Sequence, residues 1–338
     1  MAEISQVSTL STVSTISTCS LSSGSSGNCI FAGCGGTNIL FDAGRSAKAI
    51  TELMSQINLK IEDISAIFIT HEHIDHVNGL KVLIGRHKIP VYMVWESFDN
   101  LGDDYKSALG EVINFISPKD KITVGDLQVE CYPTPHDSAA SVGYIIGHNN
   151  NAGDKSNKAI GIATDIGHMT KEITDAMCGC RIIYIESNHD LEMLKNSSYP
   201  AQVKQRIKSK RGHLSNKECA EALPYFIKNG ARKIILYHLS GENNTKELAV
   251  KESKKSILDA KLNVGTVYLG VAPKSSPSKM ISVKIKTENN TAEKPGVKIL
   301  NPLNPNFEKK VLLNPNLKRI DREVPEIDAD SINIAEVL

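Results

Sequence analysis

Short apolar runs rich in β-branched residues recur along the chain between residues 12 and 272. Runs of this kind predict strands, and stretches with apolar residues three or four positions apart predict helices. The predicted strands span residues 37–41, 64–69, 91–94, 111–115, 121–124, 127–132, 142–146, 159–163, 181–185 and 233–237. The predicted helices span residues 46–57, 80–88, 171–177, 201–208 and 216–228. Periodicity therefore indicates a domain of mixed α and β structure.

The composition changes toward both ends of the chain. Residues 1–11 are dominated by Ser and Thr, and we expect an N-terminal tail before the sheet begins near residue 12. Beyond Pro273, residues 279–285 alternate as one last strand does, and residues 287–338 are rich in Asn, Pro, Lys and Glu. We therefore expect a domain at 12–272 and a mostly disordered C-terminal extension at 273–338, which is a passive tail or, alternatively, docks a partner.

Charge and cysteine content narrow the class of protein. The net charge is only +1 in 338 residues, so any contact with nucleic acid depends on a local basic patch. The seven cysteines include no Cys-x-x-Cys pair, which favours free thiols in a reducing compartment. No run approaches the length of a membrane span, and no basic residue precedes Arg45 as a secretory signal requires. We expect a cytoplasmic protein without membrane contact, and no oligomeric state is predicted.

The strongest chemical signal follows the apolar run 64–69. His71, His73, Asp75 and His76 place three imidazoles and a carboxylate within six residues. These are ligands that zinc and similar metals prefer, and strand ends are where α/β layers usually carry their chemistry. A solvated polar loop would explain Asp75 but gives no reason for three histidines at this spacing. The pattern therefore predicts one side of a metal site.

Three further candidate ligands stand just beyond predicted strands. His136 follows the strand that ends near residue 132, Asp165 follows the strand that ends at residue 163, and His238 follows the strand 233–237. Each of them alone would more often be a surface residue or a satisfied core residue. Their shared position at strand ends, which His71 also has, makes them candidates to complete the site.

The motifs together resemble a known family. The pattern His-x-His-x-Asp-His after a strand is similar to that of the metallo-β-lactamase-fold hydrolases. Six further segments, covering roughly residues 16–271 in the same order, resemble its WalJ/YycJ (VicX) branch: Ser22-Ser23-Gly24-Ser25-Ser26-Gly27-Asn28-Cys29, Phe41-Asp42-Ala43-Gly44, Thr164-Asp165-Ile166-Gly167-His168, Glu186-Ser187-Asn188-His189-Asp190, Gly212-His213-Leu214-Ser215-Asn216 and His238-Leu239-Ser240-Gly241-Glu242-Asn243-Asn244. The resemblance implies a four-layer αββα sandwich, which periodicity alone does not.

The resemblance also implies a dinuclear site for two divalent ions, Zn²⁺ or Mn²⁺. One ion would be held by His71, His73 and His136, and the other by Asp75, His76 and His238. Asp165 would bridge the two ions. A hydroxide between the two cations would act as the nucleophile. Asp75 would, in addition, orient or deprotonate that nucleophile.

The same resemblance implies supporting roles for other residues. His213 is the candidate proton donor to the leaving group, although it could instead only neighbour a helix N-cap at Ser215 or Asn216. Asp42 is expected to orient a metal-binding imidazole, with helix capping as the alternative. The loop with Ser26 and Asn28 is either an active-site loop or a plain turn. His168 and His189 are candidate contacts to metal ligands or to phosphate.

The function implied is that of a phosphodiesterase on nucleic acid, namely a 5′-to-3′ DNA exonuclease. A lactamase or thioesterase on the same fold and a non-catalytic, metal-stabilised regulatory module are the alternatives. A run of cations precedes His213: Lys204, Arg206, Lys208, Lys210 and Arg211. It is either a solvated helix face or a strip that binds a nucleic-acid backbone.

Overall fold

Two seven-stranded sheets form the centre of the molecule. The computed structural model describes residues 11–149 and 157–288. The first sheet has the spatial order β14-β1-β2-β3-β4-β5-β6. Its strands are β1 (Ser11–Ser22), β2 (Cys29–Cys34), β3 (Thr37–Phe41), β4 (Ala66–Phe68), β5 (Val91–Val94), β6 (Ile113–Ile116) and β14 (Ile281–Glu288). Strands β3 to β6 run parallel, and this is the half of the sheet that leads to the first histidine motif.

The second sheet repeats the arrangement with the later part of the chain. Its spatial order is β13-β12-β11-β10-β9-β8-β7. The strands are β7 (Lys121–Val124), β8 (Leu127–Thr134), β9 (Ser141–His148), β10 (Ile160–Ala163), β11 (Ile182–Glu186), β12 (Lys233–Tyr237) and β13 (Tyr268–Val271). Strands β10 to β13 are parallel, so their carboxyl ends meet at one edge of the sheet.

Helices cover the outer face of each sheet. The first half of the chain contributes α1 (Ala47–Ser55), α2 (Ile74–Val77), α3 (Leu80–His87), α4 (Trp95–Asp99) and α5 (Asp103–Leu109). The second half contributes α6 (Lys171–Met177), α7 (Leu191–Asn196), α8 (Ala201–Ile207), α9 (Asn216–Lys228) and α10 (Lys246–Asp259). Buried apolar residues form one core between the sheets and one between each sheet and its helices. The expected αββα sandwich is confirmed.

Tyrosines of the second sheet tie the two sheets together. The hydroxyl of Tyr144 donates to the carbonyl of Ile69 at 2.5 Å, and that of Tyr237 donates to the carbonyl of Ser22 at 2.7 Å. A buried phenol needs such a partner, because leaving its hydroxyl unpaired costs free energy. Since Ile69 lies just before the histidine motif, these bonds also set the position of the site.

Several elements differ from the sequence-based expectation. Strand β14 pairs antiparallel with β1, so the predicted boundary after residue 272 leaves out a strand that belongs to the first sheet. The predicted strand 64–69 is shorter, since pairing in β4 ends at Phe68 and the chain then turns into the site. Periodicity missed β2, a short run with Gly33 in it, and α10, whose sequence is mostly polar. It also missed the short elements α2, α4, α5, α7 and β13. The residues of the predicted tails before 11 and after 288 lie outside the described ranges.

No helix in the described ranges is long and apolar enough to span a membrane.

The inter-sheet bond of Tyr144 generates a stability prediction. We expect Tyr144→Phe to lower the free energy of unfolding by about 1–3 kcal/mol, because the buried carbonyl of Ile69 loses its partner. Urea unfolding followed by circular dichroism measures the change. Tyr268→Phe, at a side chain with 45% exposure, is the matched control and should leave the unfolding curve in place. Equal curves for both variants would contradict the assigned role of Tyr144.

Candidate metal centre

The candidate ligands converge where the strands of both sheets end. His71 follows β4, His136 follows β8, Asp165 follows β10 and His238 follows β12. Three residues directly after parallel strands, Asp42, Asp165 and His238, have positive φ angles of 63°, 53° and 55°. Non-glycine residues adopt this conformation rarely, and such strain clusters at functional sites. The sharp turn at each strand end directs these side chains toward one another.

The first group of ligands is a histidine triad. The Nε2 atom of His71 lies 3.1 Å from Nδ1 of His73, and Nε2 of His136 lies 3.3 Å from the same atom. One ligand atom from each ring lies within 4.8 Å of the others, a spacing that suits a single metal ion. The triad joins the first motif to a residue about 60 positions later in the chain.

Hydrogen bonds and burial set the protonation of two rings of this triad, those of His71 and His136. The hydroxyl of Thr70 donates to Asp42, so it accepts the proton of His71 Nδ1 at 3.0 Å. The Nδ1 atom of His136 donates to the carbonyl of Gly212 at 3.2 Å. Burial lowers the pKa of both His71 and His136, so the rings are neutral and each Nε2 carries a lone pair. Lone pairs directed at one point repel one another, and a bound cation relieves this repulsion.

The second group contains one carboxylate and two imidazoles. The Oδ2 atom of Asp75 lies 3.5 Å from Nε2 of His76 and 3.5 Å from Nε2 of His238. Asp42 accepts the Nδ1 proton of His76 at 2.7 Å, a contact that orients the ring. In the described structure, the Nε2 atom of His238 is buried without a hydrogen-bond partner. A buried nitrogen without a hydrogen-bond partner is the arrangement expected of a metal ligand.

Asp165 lies between the two groups. Its Oδ2 atom is 3.3 Å from Nε2 of His76, and its Oδ1 atom is 4.0 Å from Nε2 of His136. Burial raises the pKa of Asp165, but the rings of His238 and His76 lower it more, and the result lies well below the usual value. Burial lowers the pKa of His76, but Asp42, Asp75 and Asp165 outweigh it, so the pKa of His76 is raised. A cation that binds here takes the place of the proton that these carboxylates stabilise on His76.

Sequence reasoning missed Glu186, which is fully buried at the end of β11. Its Oε1 atom accepts from Nδ1 of His213 at 2.8 Å and from Nδ1 of His238 at 2.9 Å. Its Oε2 atom accepts from the backbone amides of Ile166 and Leu214 at 2.7 Å and 3.2 Å. The available signal was its position at a strand end, the same position that singled out Asp165 and His238.

His213 belongs to the site and is not a helix cap. Ser215 caps α9 and forms a capping box with Glu218, so His213 is free of that role. Its ring centroid lies 5.2 Å from that of His136 and 5.3 Å from that of His238. Burial lowers the pKa of His213, but Glu186 and Asp165 outweigh this and raise it. With 20% of its side chain exposed, His213 is accessible from solvent beside the ligand groups.

The remaining candidates differ in whether they contact the ligand groups. Asn28 donates from Nδ2 to Asp75 Oδ2 at 3.2 Å and lies 3.0 Å from Nε2 of His76. Ser26 is exposed, and its carbonyl accepts from Arg45. His168 donates from Nδ1 to the carbonyl of Lys210 at 2.9 Å and so joins two loops. His189 is buried, and burial lowers its pKa to about 4. Ser26 and His168 thus have no described contact with either ligand group.

Comparison with known proteins agrees with this geometry. Residues 37–239 match the model of a family described as the beta-lactamase superfamily domain. The exodeoxyribonuclease YycJ of Bacillus anthracis is 36% identical over 245 residues, which cover 71% of this chain and 89% of that protein. The exodeoxyribonuclease WalJ of Streptococcus pneumoniae D39 is 38% identical over 238 residues, which cover 68% and 84%.

Solved structures show the same fold at low identity. The metallo-beta-lactamase fold protein YhfI from Bacillus subtilis superimposes with a TM-score of 0.55 at 15% identity, covering 80% of this chain and 99% of that one. Zn²⁺-bound PqqB from Methylobacterium extorquens superimposes with a TM-score of 0.56 at 14% identity, covering 78% and 99%.

The contacts of Glu186 lead to a prediction about metal affinity. Both carboxylate oxygens of Glu186 accept from N–H donors. In Glu186→Gln one of these oxygens becomes an NH₂ group, which cannot accept, so the hydrogen bonds that orient His238 are disturbed. We expect metal affinity to fall about 10–100-fold, as measured by competition with a fluorescent chelator. Glu192→Gln, at an exposed position of α7, should bind metal as the wild type does. Unchanged affinity in Glu186→Gln would show that Glu186 does not support the ligands.

Proposed function

The chain belongs to the β-lactamase superfamily and, within it, to the YycJ/WalJ branch of metal-dependent hydrolases, and we propose that it is a DNA exonuclease acting from the 5′ end. The observation that carries the proposal is the convergence of two ligand groups on a shared Asp165. A phosphodiester needs an activated water, charge stabilisation and a proton donor, and the site offers side chains for all three.

We infer that the site holds two divalent cations. His71, His73 and His136 would hold one, Asp75, His76 and His238 the other, and Asp165 would contact both. Mixed nitrogen and oxygen ligands of this kind accept Zn²⁺ as well as Mn²⁺. When bound, such cations supply Lewis acidity, which makes water more acidic and stabilises charge on the phosphate oxygens. The neutral rings of His71 and His136 and the unpartnered Nε2 of His238 support this assignment.

Asp75 is proposed as the base of the reaction. Burial raises its pKa, but His76 and His238 lower it more, so the net pKa lies below the usual value and the carboxylate is ionised near neutral pH. Asn28 donates to its Oδ2 atom and limits its rotation. An ionised carboxylate that is held in place can orient the attacking water and accept its proton.

His213 is proposed as the acid. Glu186 holds its Nδ1 proton at 2.8 Å, which leaves Nε2 to donate toward a substrate. Its raised pKa means that the imidazolium form is available near neutral pH. Donation to the leaving oxygen of the cleaved ester would complete the hydrolysis.

The residue types of the ligand groups bear on the choice between a nuclease and a lactamase. Among the described residues, the ligand groups contain no cysteine, whereas a lactamase typically has a thiol in place of Asp165.

All seven cysteines are free, which supports a reducing compartment, and we propose the cytoplasm.

Asp75 provides the direct test. With Mn²⁺ or Zn²⁺, the wild type should release nucleotides from 5′-phosphorylated duplex DNA, and Asp75→Ala should slow release about a thousandfold because base and ligand are lost together. Gel analysis of end-labelled DNA measures the rates. Asp259→Ala, at an exposed position of α10, should cleave as the wild type does.

Other outcomes would point to the rival functions. Hydrolysis of a thioester or a β-lactam with no action on DNA would replace the nuclease by a carboxylic hydrolase. Bound metal without turnover of any of these substrates would favour a regulatory module.

A further inference from the structure

The run of cations before His213 does not act as one surface. The ammonium of Lys204 donates to the carbonyls of Lys195 and Ser197 at 2.8 Å and 2.7 Å, which fastens α8 to the C-terminal end of α7. The guanidinium of Arg211 donates to the carbonyls of His136 and Ser138 at 2.7 Å and 2.9 Å. Lys204 and Arg211 therefore each direct two hydrogen bonds to backbone carbonyls of the protein.

Arg206 differs from these two residues. Its Nε donates to Oδ2 of Asp137 at 2.5 Å, and Oδ1 of Asp137 lies 3.3 Å from Nε2 of His136. One carboxylate thus separates the guanidinium from a candidate metal-binding nitrogen. In the described part of the chain, the two Nη groups of Arg206 have no acceptor, and 52% of the side chain is exposed. The free edge of the guanidinium is open to a ligand.

The segment that carries Arg206 is held in one conformation. The amide of His213 donates to the carbonyl of Ile207 at 2.9 Å, and the carbonyl of Gly212 accepts from His136. A Cβ at Gly212 would lie 2.2 Å from the carbonyl oxygen of Arg206, so only glycine permits this approach. Because the segment is tied to both His136 and His213, Arg206 keeps a defined position beside the site.

We propose that Arg206 binds a backbone phosphate of the DNA strand through its two Nη groups, while Asp137 holds Nε. This inference rests on the proposed nuclease function and names the residue that aligns the substrate strand. A guanidinium with a free edge matches two phosphate oxygens at once, which an ammonium cannot do. Lys208 and Lys210 are exposed close by and extend the positive surface along the strand.

The test compares Arg206→Gln with a matched arginine. Arg181→Gln is the control, because Arg181 is exposed and precedes β11 at the end opposite to Glu186. In the metal-loaded protein, Arg206→Gln should raise KM about tenfold with little change in kcat. The slope of log(kcat/KM) against log[salt] should become less steep by about 0.7–0.9. Arg206→Lys should recover the salt slope but not the full affinity.

Binding is measured separately from turnover. Fluorescence anisotropy with an oligonucleotide that carries cleavage-resistant phosphorothioate linkages should show about a tenfold higher Kd for Arg206→Gln and no change for Arg181→Gln. A loss of kcat with unchanged Kd and salt slope would overturn the proposal and make Arg206 a support of Asp137 and His136. Unchanged values throughout would overturn it as well.

The two hypotheses fail in different ways. A wild-type protein that binds the oligonucleotide without cleaving DNA would refute the nuclease, while a higher Kd in Arg206→Gln would still support the phosphate contact. A wild-type protein that neither binds nor cleaves DNA would refute both.

Discussion

Buried charge is the constraint on which the rest of the structure depends. Asp42, Asp165 and Glu186 are at most 3% exposed, and an ionised carboxylate at such depth costs several kcal/mol, by order of magnitude, unless it is paired. Each of the three faces an imidazole that comes from a different element of the fold. The contact of Asp165 with His76 joins the two sheets, so this part of the charge compensation forms only when both sheets are correctly placed.

The architecture meets this requirement through strand ends. Parallel strands in each sheet finish at a common edge, and positive φ angles at Asp42, Asp165 and His238 turn the chain inward at once. The tyrosine bonds between the sheets then fix the distance between the two edges. Strained backbone and buried polar bonds are therefore concentrated where the two edges meet.

Short apolar runs and turn residues are local signals, and they predicted only a mixture of α and β structure. The αββα sandwich was predicted from the resemblance of the motifs to a known family. The seven ligand candidates were visible because histidines and aspartates stood just after predicted strands. Glu186 and the anchoring of Arg206 by Asp137 were not visible, because they depend on contacts between distant segments. The pairing of β14 with β1 is hidden for the same reason: 258 positions separate the partners Ser20 and Ser278 that help to hold this edge.

His238 is the last of the candidate ligands along the chain, and it stands after β12, near the end of the second sheet. During synthesis, the first motif leaves the ribosome long before this residue, so a nascent chain carries Asp75 and His76 before His238, the last member of their ligand group, has been made. Hydrolytic capacity therefore arises only once nearly all of the folded domain has emerged, and a prematurely terminated product would be an inert fragment.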